Sequence, residues 1–259
     1  MDFALILVLL TATSGVVWLL DALLLGRDRI AAAAAGEPVQ EPIVVEYAKS
    51  FFPILLLVLL IRSFLFEPFR IPSESMMPTL FKGDFIFVNK FAYGLRLPVL
   101  NTKILKIGEP KHGDVVVFRL PSDPDIDYIK RVVGLPGDVV EYEDSTKQLK
   151  INGQPVDMQL LGAYDGEPFT TIGREKLGDH EHQLLVRRGA VSRGGRYVVP
   201  PDSYFMMGDN RDNSRDSRFE GVEFVPEANL VGRAVGIWMN WRWPSEGGPQ
   251  WSRIGKGVD

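Results

Sequence analysis

Two serines and one lysine are the residues of this sequence whose setting favours covalent chemistry. Ser73 and Ser75 lie two residues apart in the segment 71–80, IPSESMMPTL, which contains a proline near each end. Lys130 lies in the segment 127–134, DYIKRVVG, which is mostly apolar and β-branched. A serine hydroxyl becomes an effective nucleophile when a base removes its proton. A lysine can be that base if burial lowers its pKa.

These residues also have ordinary structural interpretations. Serines beside prolines commonly stabilise turns, and a lysine among apolar neighbours commonly extends its amine to the surface. Strand alternation would place Tyr128, Lys130 and Val132 on one face of a strand, with Ile129 and Arg131 on the other. The sequence pattern alone therefore leaves both interpretations open.

A third segment, residues 208–218, reads GDNRDNSRDSR and is too polar for a core strand. It is either a solvated loop or a scaffold beside the lysine. In the second case Asp216 would pair with Arg218, and Arg131 would join them.

Composition excludes several other chemistries. The chain of 259 residues has no cysteine, which rules out disulfides, thiol nucleophiles and cysteine-bound zinc. Its net charge of -4 gives no reason to expect nucleic acid as a partner. His180 and His182 flank Glu181, but no third ligand has a recognisable spacing. We therefore predict a solvated polar loop there, with no metal and no cofactor.

The first membrane element is predicted at residues 1–25. Residues 3–20 carry no charge, and the apolar run continues after Asp21, which is long enough to cross a bilayer. A cleavable signal peptide would begin with basic residues, and none precedes this run. We therefore predict a transmembrane helix.

A second, weaker apolar run covers residues 51–66, with Lys49 before it, and with Pro53 and Arg62 inside it. We predict a second transmembrane helix over residues 51–66, and a buried or interfacial helix is the alternative. The basic residues of segment 26–50 predict a cytoplasmic loop, so that everything after about residue 67 is extracytoplasmic. The alanine run and Gly-Glu-Pro at 31–38 are typical of a plain connector.

The remainder of the chain predicts antiparallel β structure. Short apolar runs at 85–88, 115–118 and 139–140 each follow a Gly-Asp pair, and the run 204–207 precedes one. No alternating helices are indicated. We predict a catalytic β domain over 67–140 and 197–259, interrupted by an inserted β subdomain at 141–196. Asn152-Gly153 predicts a hairpin turn in that insertion.

Four segments in order resemble the conserved boxes of bacterial type I signal peptidase, also called leader peptidase. They are IPSESMMPTL, GDFIFVNKFAYG at 83–94, GDVVVFRLPSDPDIDYIKRVVGLPGD at 113–138, and GDNRDNSRDSRFEGVEFVPEANLVGRA at 208–234. The resemblance implies two β subdomains behind two membrane helices. One departure is Glu74, where the proteobacterial pattern usually has glycine.

The resemblance also implies roles for individual residues. Ser75 matches the nucleophile and Lys130 the general base. Ser73 matches the residue that completes an oxyanion hole with the Ser75 amide, and Ser214 the serine that orients the lysine. The supporting salt-bridge group corresponds to Asp216, Arg218 and Arg131.

By the same resemblance, substrates are the signal peptides of exported preproteins, cut after small residues in an Ala-X-Ala pattern. The residues expected to line a shallow pocket are Ile71, Pro72, Met76, Leu80, Tyr128 and Ile129. The substrate would add as a strand beside residues 127–130. The expected location is the bacterial inner membrane, with the catalytic domain on the periplasmic side, in contact with lipid and near the secretion translocon.

Three other interpretations make different predictions. An envelope β domain without catalysis would not need Ser75, and a catalytically dead homologue would keep the fold without the activity. A penicillin-recognising enzyme needs Ser-x-x-Lys on one helical turn, a spacing that this chain lacks.

Overall fold

The computed structural model describes residues 3–26, 29, 40–99, 102–244 and 247–258. The expected connector at 31–38 lies outside the described residues. The chain divides into two compact units, one formed by residues 1–66 with 95–105 and the other by 67–94 with 106–259.

The first unit contains two long apolar helices, α1 (Phe3–Leu20) and α2 (Ile43–Leu60), each extended by a five-residue π-helical turn. Their apolar stretches Ala4–Leu24 and Ile43–Leu65 are long enough to cross a membrane. The helices pack together where Gly15 faces Phe52, whose ring lies 2.7 Å from the position of a Cβ on that glycine. The second helix begins at Ile43, eight residues before the predicted apolar run.

Sixteen strands are described. Their bounds are β1 Phe66–Arg70, β2 Asp84–Asn89, β3 Leu95–Arg96, β4 Lys103–Leu105, β5 Val115–Leu120, β6 Asp123–Gly134, β7 Val139–Glu143, β8 Gln148–Ile151, β9 Gln154–Pro155, β10 Asp157–Ala163, β11 Thr170–Leu177, β12 His180–Arg187, β13 Gly195–Val198, β14 Ser203–Met207, β15 Phe224–Pro226 and β16 Leu230–Asn240. All four predicted apolar runs are strands, which confirms that a mostly antiparallel β region follows two apolar helices in the sequence.

The largest sheet has seven strands in the order β1-β2-β16-β5-β6-β14-β15. Strand β6 therefore lies inside the sheet, with Val116 of β5 opposite Lys130 and Met207 of β14 opposite Arg131. Alternation along β6 is as predicted, because Ile129 joins one core cluster and Val132 joins another. Lys130 and Arg131 are buried in the second half of β6, whereas residues 123–127 at its start are exposed.

The Gly-Asp pairs that mark the strand starts are tight turns. Gly83, Gly113 and Gly137 have φ values of 91°, 91° and 90°, a region in which the backbone of residues other than glycine is strained. The fourth glycine, Gly208, lacks a positive φ and is required for a different reason, described below.

Strands β7 to β13 form two small sheets, one in the order β13-β7-β8-β9 and one in the order β10-β11-β12. The predicted hairpin is present, with Asn152 and Gly153 both at positive φ between β8 and β9. A shared core cluster joins this region to the large sheet, since Leu149 and Leu177 pack with Phe205 and Met207. Strands β7, β8 and β11 are thus packed against the sheet that carries Lys130.

Candidate active site

The loop that carries the two serines connects β1 to β2 and is closed by main-chain hydrogen bonds. Ile71 N donates to Asp84 O over 2.8 Å, and Gly83 N donates to Ile71 O over 2.9 Å. Inside this loop, Leu80 N donates to Met76 O over 2.9 Å. The loop is therefore a compact turn whose two ends are fixed to each other.

Asp84 anchors the base of the loop through a buried polar network. Its carboxylate accepts hydrogen bonds from Asn240 Nδ2 at 2.7 Å and from Arg253 Nε at 3.0 Å. Arg253 also donates to Thr79 O over 2.8 Å and lies 4.2 Å above the Phe81 ring. The last residues of the chain thereby hold the serine loop, a connection that the sequence analysis missed.

Ser75 and Lys130 are in direct contact. Lys130 Nζ donates to Ser75 Oγ over 2.7 Å and to Ile129 O over 2.8 Å. Ser75 and Lys130 are 8% and 4% exposed, respectively, although they are 55 residues apart in the sequence. The structure brings together the two residues that the sequence singled out.

Burial lowers the pKa of Lys130 to about 8, although the charges of Asp216 and Asp209 act in the opposite direction. The cause is desolvation of the ammonium, which the two carboxylates offset only in part. At pH 7 an amine with this pKa is neutral in about one molecule in ten, against about one in three thousand at the ordinary value. Lys130 can therefore accept a proton near neutral pH.

Ser73 lies beside the pair, with its Oγ 3.3 Å from Ser75 Oγ. Ser214 is also buried, but its Oγ makes no hydrogen bond within the part of the chain that the structure describes. The bond from Ser214 to Lys130 that the resemblance implies is therefore not formed here, since the amine donates to Ser75 and Ile129 instead.

Gly208 keeps Ser214 next to the nucleophile. A Cβ at this glycine would lie 2.5 Å from Ser75 O and closer still to Ser214 Oγ. Any side chain would therefore displace one of the two serines. This contact explains why a glycine precedes the aspartate here without a positive φ.

The supporting ion pairs differ from the predicted group of three. Asp216 and Arg218 pair as expected, with Arg218 Nε and Nη2 each 2.8 Å from a different oxygen of Asp216. The bidentate partner of Arg131 is Asp209, with both distances again 2.8 Å. Arg131 therefore belongs to a second ion pair, because Asp209, near the start of the segment 208–218, lies next to Arg131 of β6. The Arg131 guanidinium outweighs the effect of burial and holds the pKa of Asp209 below its usual range.

The expectation of a solvated loop around His182 is wrong. His182 lies in β12 with no exposed surface, 3.5 Å from Glu175 and 3.8 Å from Asp209. Burial lowers its pKa to about 3, so that the imidazole is neutral. Among the described residues no group of histidine, aspartate and glutamate side chains could hold a metal.

The expected pocket residues divide by exposure. Met76 and Leu80 have no exposed surface, and Ile71 and Ile129 are buried in the same core cluster. These four residues therefore belong to the core and do not form an accessible surface of the site. Pro72 is exposed and Tyr128 is partly exposed. The Tyr128 ring centre lies 5.2 Å from Lys130 Nζ.

A serine in contact with a buried lysine of lowered pKa, on an antiparallel β scaffold that follows two membrane-length helices in the sequence, fits the class of membrane-anchored hydrolases. Comparison with known proteins makes the assignment specific. The family model described as signal peptidase, peptidase S26, matches residues 44–241. The chain belongs to this family, which confirms the resemblance found in the four sequence segments.

Relatives that match over almost the whole chain support the same family. A signal peptidase I from Pseudomonas fluorescens is 48% identical, and the match covers 98% of each chain. One from Pseudomonas aeruginosa is 47% identical, again with 98% of each chain covered. A solved structure of a signal peptidase I from Enterococcus faecalis V583 is 30% identical and covers 49% of this chain and 98% of its own. Its TM-score of 0.32 is too low to bear on the fold.

Proposed function

We propose that this protein is a membrane-anchored endopeptidase that removes signal peptides from exported preproteins, with Ser75 as nucleophile and Lys130 as general base. Membership of the signal peptidase family supports the reaction. The single observation that supports the two residue roles is the 2.7 Å contact between Lys130 Nζ and Ser75 Oγ in a buried setting.

The reaction begins with proton transfer inside this contact. When Lys130 is neutral, its lone pair accepts the proton of Ser75 Oγ as that oxygen attacks the scissile carbonyl carbon. The resulting ammonium then gives the proton to the leaving amine, and the peptide bond breaks to leave an acyl-enzyme. Water, deprotonated by the same lysine, attacks the ester carbonyl, the bond to Ser75 Oγ breaks as the lysine returns the proton to that oxygen, and the signal peptide is released.

The oxyanion of each tetrahedral intermediate needs hydrogen-bond donors at the site where charge develops. We assign this role to the Ser73 hydroxyl and the Ser75 main-chain amide. The position of Ser73 Oγ, 3.3 Å from Ser75 Oγ, supports the assignment. Gly208 and Ser214 complete the surroundings of the nucleophile by occupying the space behind it.

Specificity for small residues before the scissile bond, in the Ala-X-Ala pattern, is part of the proposal. Pro72 and Tyr128 are the accessible members of the expected lining, whereas Ile71, Met76, Leu80 and Ile129 are buried. Among the described residues, β14 pairs with β6 only over residues 131–134, so that a substrate strand would pair with the remaining edge at residues 127–130 and present its backbone to the site.

Cleavage and its position test the proposal directly. The purified full-length chain is incubated with an exported preprotein whose signal peptide ends in Ala-X-Ala, and the product is sequenced from its new N-terminus. We expect a single cut after the second alanine and no cut with Ser75→Ala. Absence of cleavage, or retention of more than a few per cent of activity in a pure Ser75→Ala preparation, contradicts the proposal.

We also propose that the catalytic region lies on the periplasmic side of the inner membrane, where the secretion translocon delivers its substrates. The absence of cysteine makes this testable, because one introduced cysteine is then the only thiol. A membrane-impermeant maleimide added to intact spheroplasts should label Thr146→Cys but not Ala33→Cys. The opposite pattern would place the catalytic region in the cytoplasm.

The bilayer itself is a proposed partner of the C-terminal segment. Trp243 and Trp251 are 63% and 67% exposed, and Trp241 is also exposed beside Arg242. Exposed tryptophans next to a basic residue suit the headgroup region of a membrane. In a full-length Trp18→Phe chain reconstituted with brominated lipid, we expect quenching that falls when Trp241 and Trp243 are replaced by serine. Equal quenching with and without them argues against lipid contact.

A further inference from the structure

Residues 209–211 are hydrogen-bonded on both sides through their main chain. Towards the insertion, Leu185 N donates to Asp209 O over 2.8 Å, and Arg211 N donates to Leu185 O over 2.9 Å. Towards the serine loop, Asn210 N donates to Ser75 O over 3.1 Å. Asn210 Nδ2 donates to Glu74 O over 3.3 Å. This tripeptide therefore joins strand β12 directly to the carbonyl of the nucleophile.

The side chain of Arg211 also holds this tripeptide in place, through a buried ion pair with Glu175. Arg211 Nη1 donates to Glu175 Oε1 over 3.0 Å, and Nη2 donates to Oε2. Both side chains are at most 1% exposed. Glu175 raises the pKa of the Arg211 guanidinium in spite of its burial. Glu175 belongs to β11, in the centre of the three-stranded sheet of the insertion.

We propose that the inserted subdomain positions the nucleophile, with Glu175 as a positioning residue that acts through Arg211 and Asn210 on the Ser75 main chain. The inference rests on the proposed role of Ser75. It gives the insertion a part in catalysis, although none of the residues whose roles the resemblance implies lies in it.

The physical reason is the demand for precise geometry in the Ser75–Lys130 contact. Proton transfer needs the two atoms at hydrogen-bonding distance, and a displacement of about 1 Å can reduce a rate about 100-fold. The Ser75 carbonyl is held by Asn210, so a shift of residues 209–211 moves Ser75 relative to β6, which carries Lys130. Glu175 touches neither residue, and its effect should fall on turnover and not on substrate binding.

The first test is Glu175→Gln in the full-length chain, with Glu181→Gln as the matched control. Glu181 lies on the same hairpin in an exposed pair with Arg174 at 3.5 Å. For Glu175→Gln we expect kcat for a preprotein to fall about 10- to 100-fold, with KM changed by less than about threefold. The control should stay within about twofold of wild type.

A second readout separates positioning from loss of stability. The pH profile of kcat/KM should rise with a midpoint set by Lys130. In Glu175→Gln a displaced loop admits water to the amine, and the midpoint should move to higher pH. Lost stability alone, measured well below the unfolding temperature, would leave both the midpoint and the kcat of folded enzyme unchanged, and that result overturns the proposal.

Because Glu175→Gln leaves Arg211 buried without its counter-ion, it could fail to fold. The double variant Glu175→Met with Arg211→Met removes both charges and leaves none unpaired. We expect it to fold with reduced kcat and a shifted pH midpoint. Wild-type kcat and midpoint in a folded double variant would mean that the ion pair does not position the loop.

Hydrogen exchange tests the positioning independently of which residue is the nucleophile. The amides of Asn210 and Arg211 donate to Ser75 O and Leu185 O, so they should be protected in Ser75→Ala as in wild type. Adding Glu175→Gln should speed their exchange at least tenfold, and Glu181→Gln should not. Unchanged exchange overturns the positioning proposal even if Ser75 is confirmed as the nucleophile, whereas an active Ser75→Ala enzyme overturns only the proposed function.

Discussion

Lys130 and Arg131 are neighbours on one strand and both are buried, yet within the described residues only the arginine forms an ion pair with a carboxylate. Arg131 makes two charge-assisted hydrogen bonds to Asp209. Lys130 contacts a hydroxyl and a main-chain carbonyl, and none of the described carboxylates forms an ion pair with it. Burial without a counter-ion lowers the pKa of the lysine, whereas the arginine is paired with a carboxylate.

The difference separates two uses of a buried cation. The arginine pair fixes the 209–218 loop against β6, and its desolvation is offset by the carboxylate. The lysine instead destabilises the folded chain, because its amine is held in a place that disfavours the charged form. That destabilisation is what makes the amine a base near neutral pH, and the adjacent ion pairs keep it in position.

The largest effect is expected from making Lys130 resemble its neighbour. Lys130→Arg introduces a group that does not lose its proton in proteins, so Ser75 would have no base. We expect preprotein cleavage to fall by about 10⁴-fold or more at every pH, as measured in single-turnover assays. An active Lys130→Arg enzyme would remove the reason for distinguishing the two cations.

Removing the Arg131 side of the ion pair with Asp209 should lower the stability of the folded protein. Arg131→Met leaves the Asp209 carboxylate buried without its partner, and we expect a loss of about 3–5 kcal/mol in the free energy of unfolding. Lys130→Met, which removes an unpaired cation, should cost little or nothing near pH 7. Denaturant titrations of both variants in the same detergent give the comparison. Similar losses in the two variants would contradict it.

A smaller loss of activity is expected at Ser73. Removing one of two oxyanion donors typically costs about 10²–10³-fold in kcat, and the Ser75 amide remains in Ser73→Ala. Steady-state kinetics with the same preprotein measures this loss. If Ser73→Ala is as inactive as Ser75→Ala, the roles of the two serines have to be exchanged.

The smallest effect is a pH-dependent difference in stability. The folded pKa of Lys130, about 8, lies below its unfolded value, so the unfolded chain binds the extra proton between about pH 8 and 10.4. The resulting penalty is complete below pH 8, at about 3 kcal/mol, and disappears as the pH rises to 10.4. Wild type should therefore gain stability relative to Lys130→Met over this range. The lost hydrogen bond to Ser75 adds a pH-independent offset of about 1–3 kcal/mol. A flat difference would mean that the pKa is not lowered.

Much of the fold was predictable because its signals are local. The Gly-Asp turns, the Asn152-Gly153 hairpin and the apolar runs each specify their own backbone. The Ser75–Lys130 contact was expected only from the resemblance, since nothing local joins residues 55 positions apart. The pairing of Arg131 with Asp209, and the burial of His182 beside Glu175, depend on how the insertion packs on the 209–211 tripeptide. Polar residues in a Gly-rich segment look solvated unless that packing is known.

The most direct test of the central claim is a titration of the Lys130 amine itself. Full-length protein with ¹⁵N-labelled lysine side chains is followed by NMR from pH 6 to 11, and the Lys130 signal is assigned by its absence from Lys130→Met. The Ser75→Ala chain serves as a control for the hydrogen-bond partner. We predict a midpoint near pH 8. A midpoint near the ordinary lysine value of about 10.4 would show that the amine is charged at neutral pH, and Lys130 could not be the base.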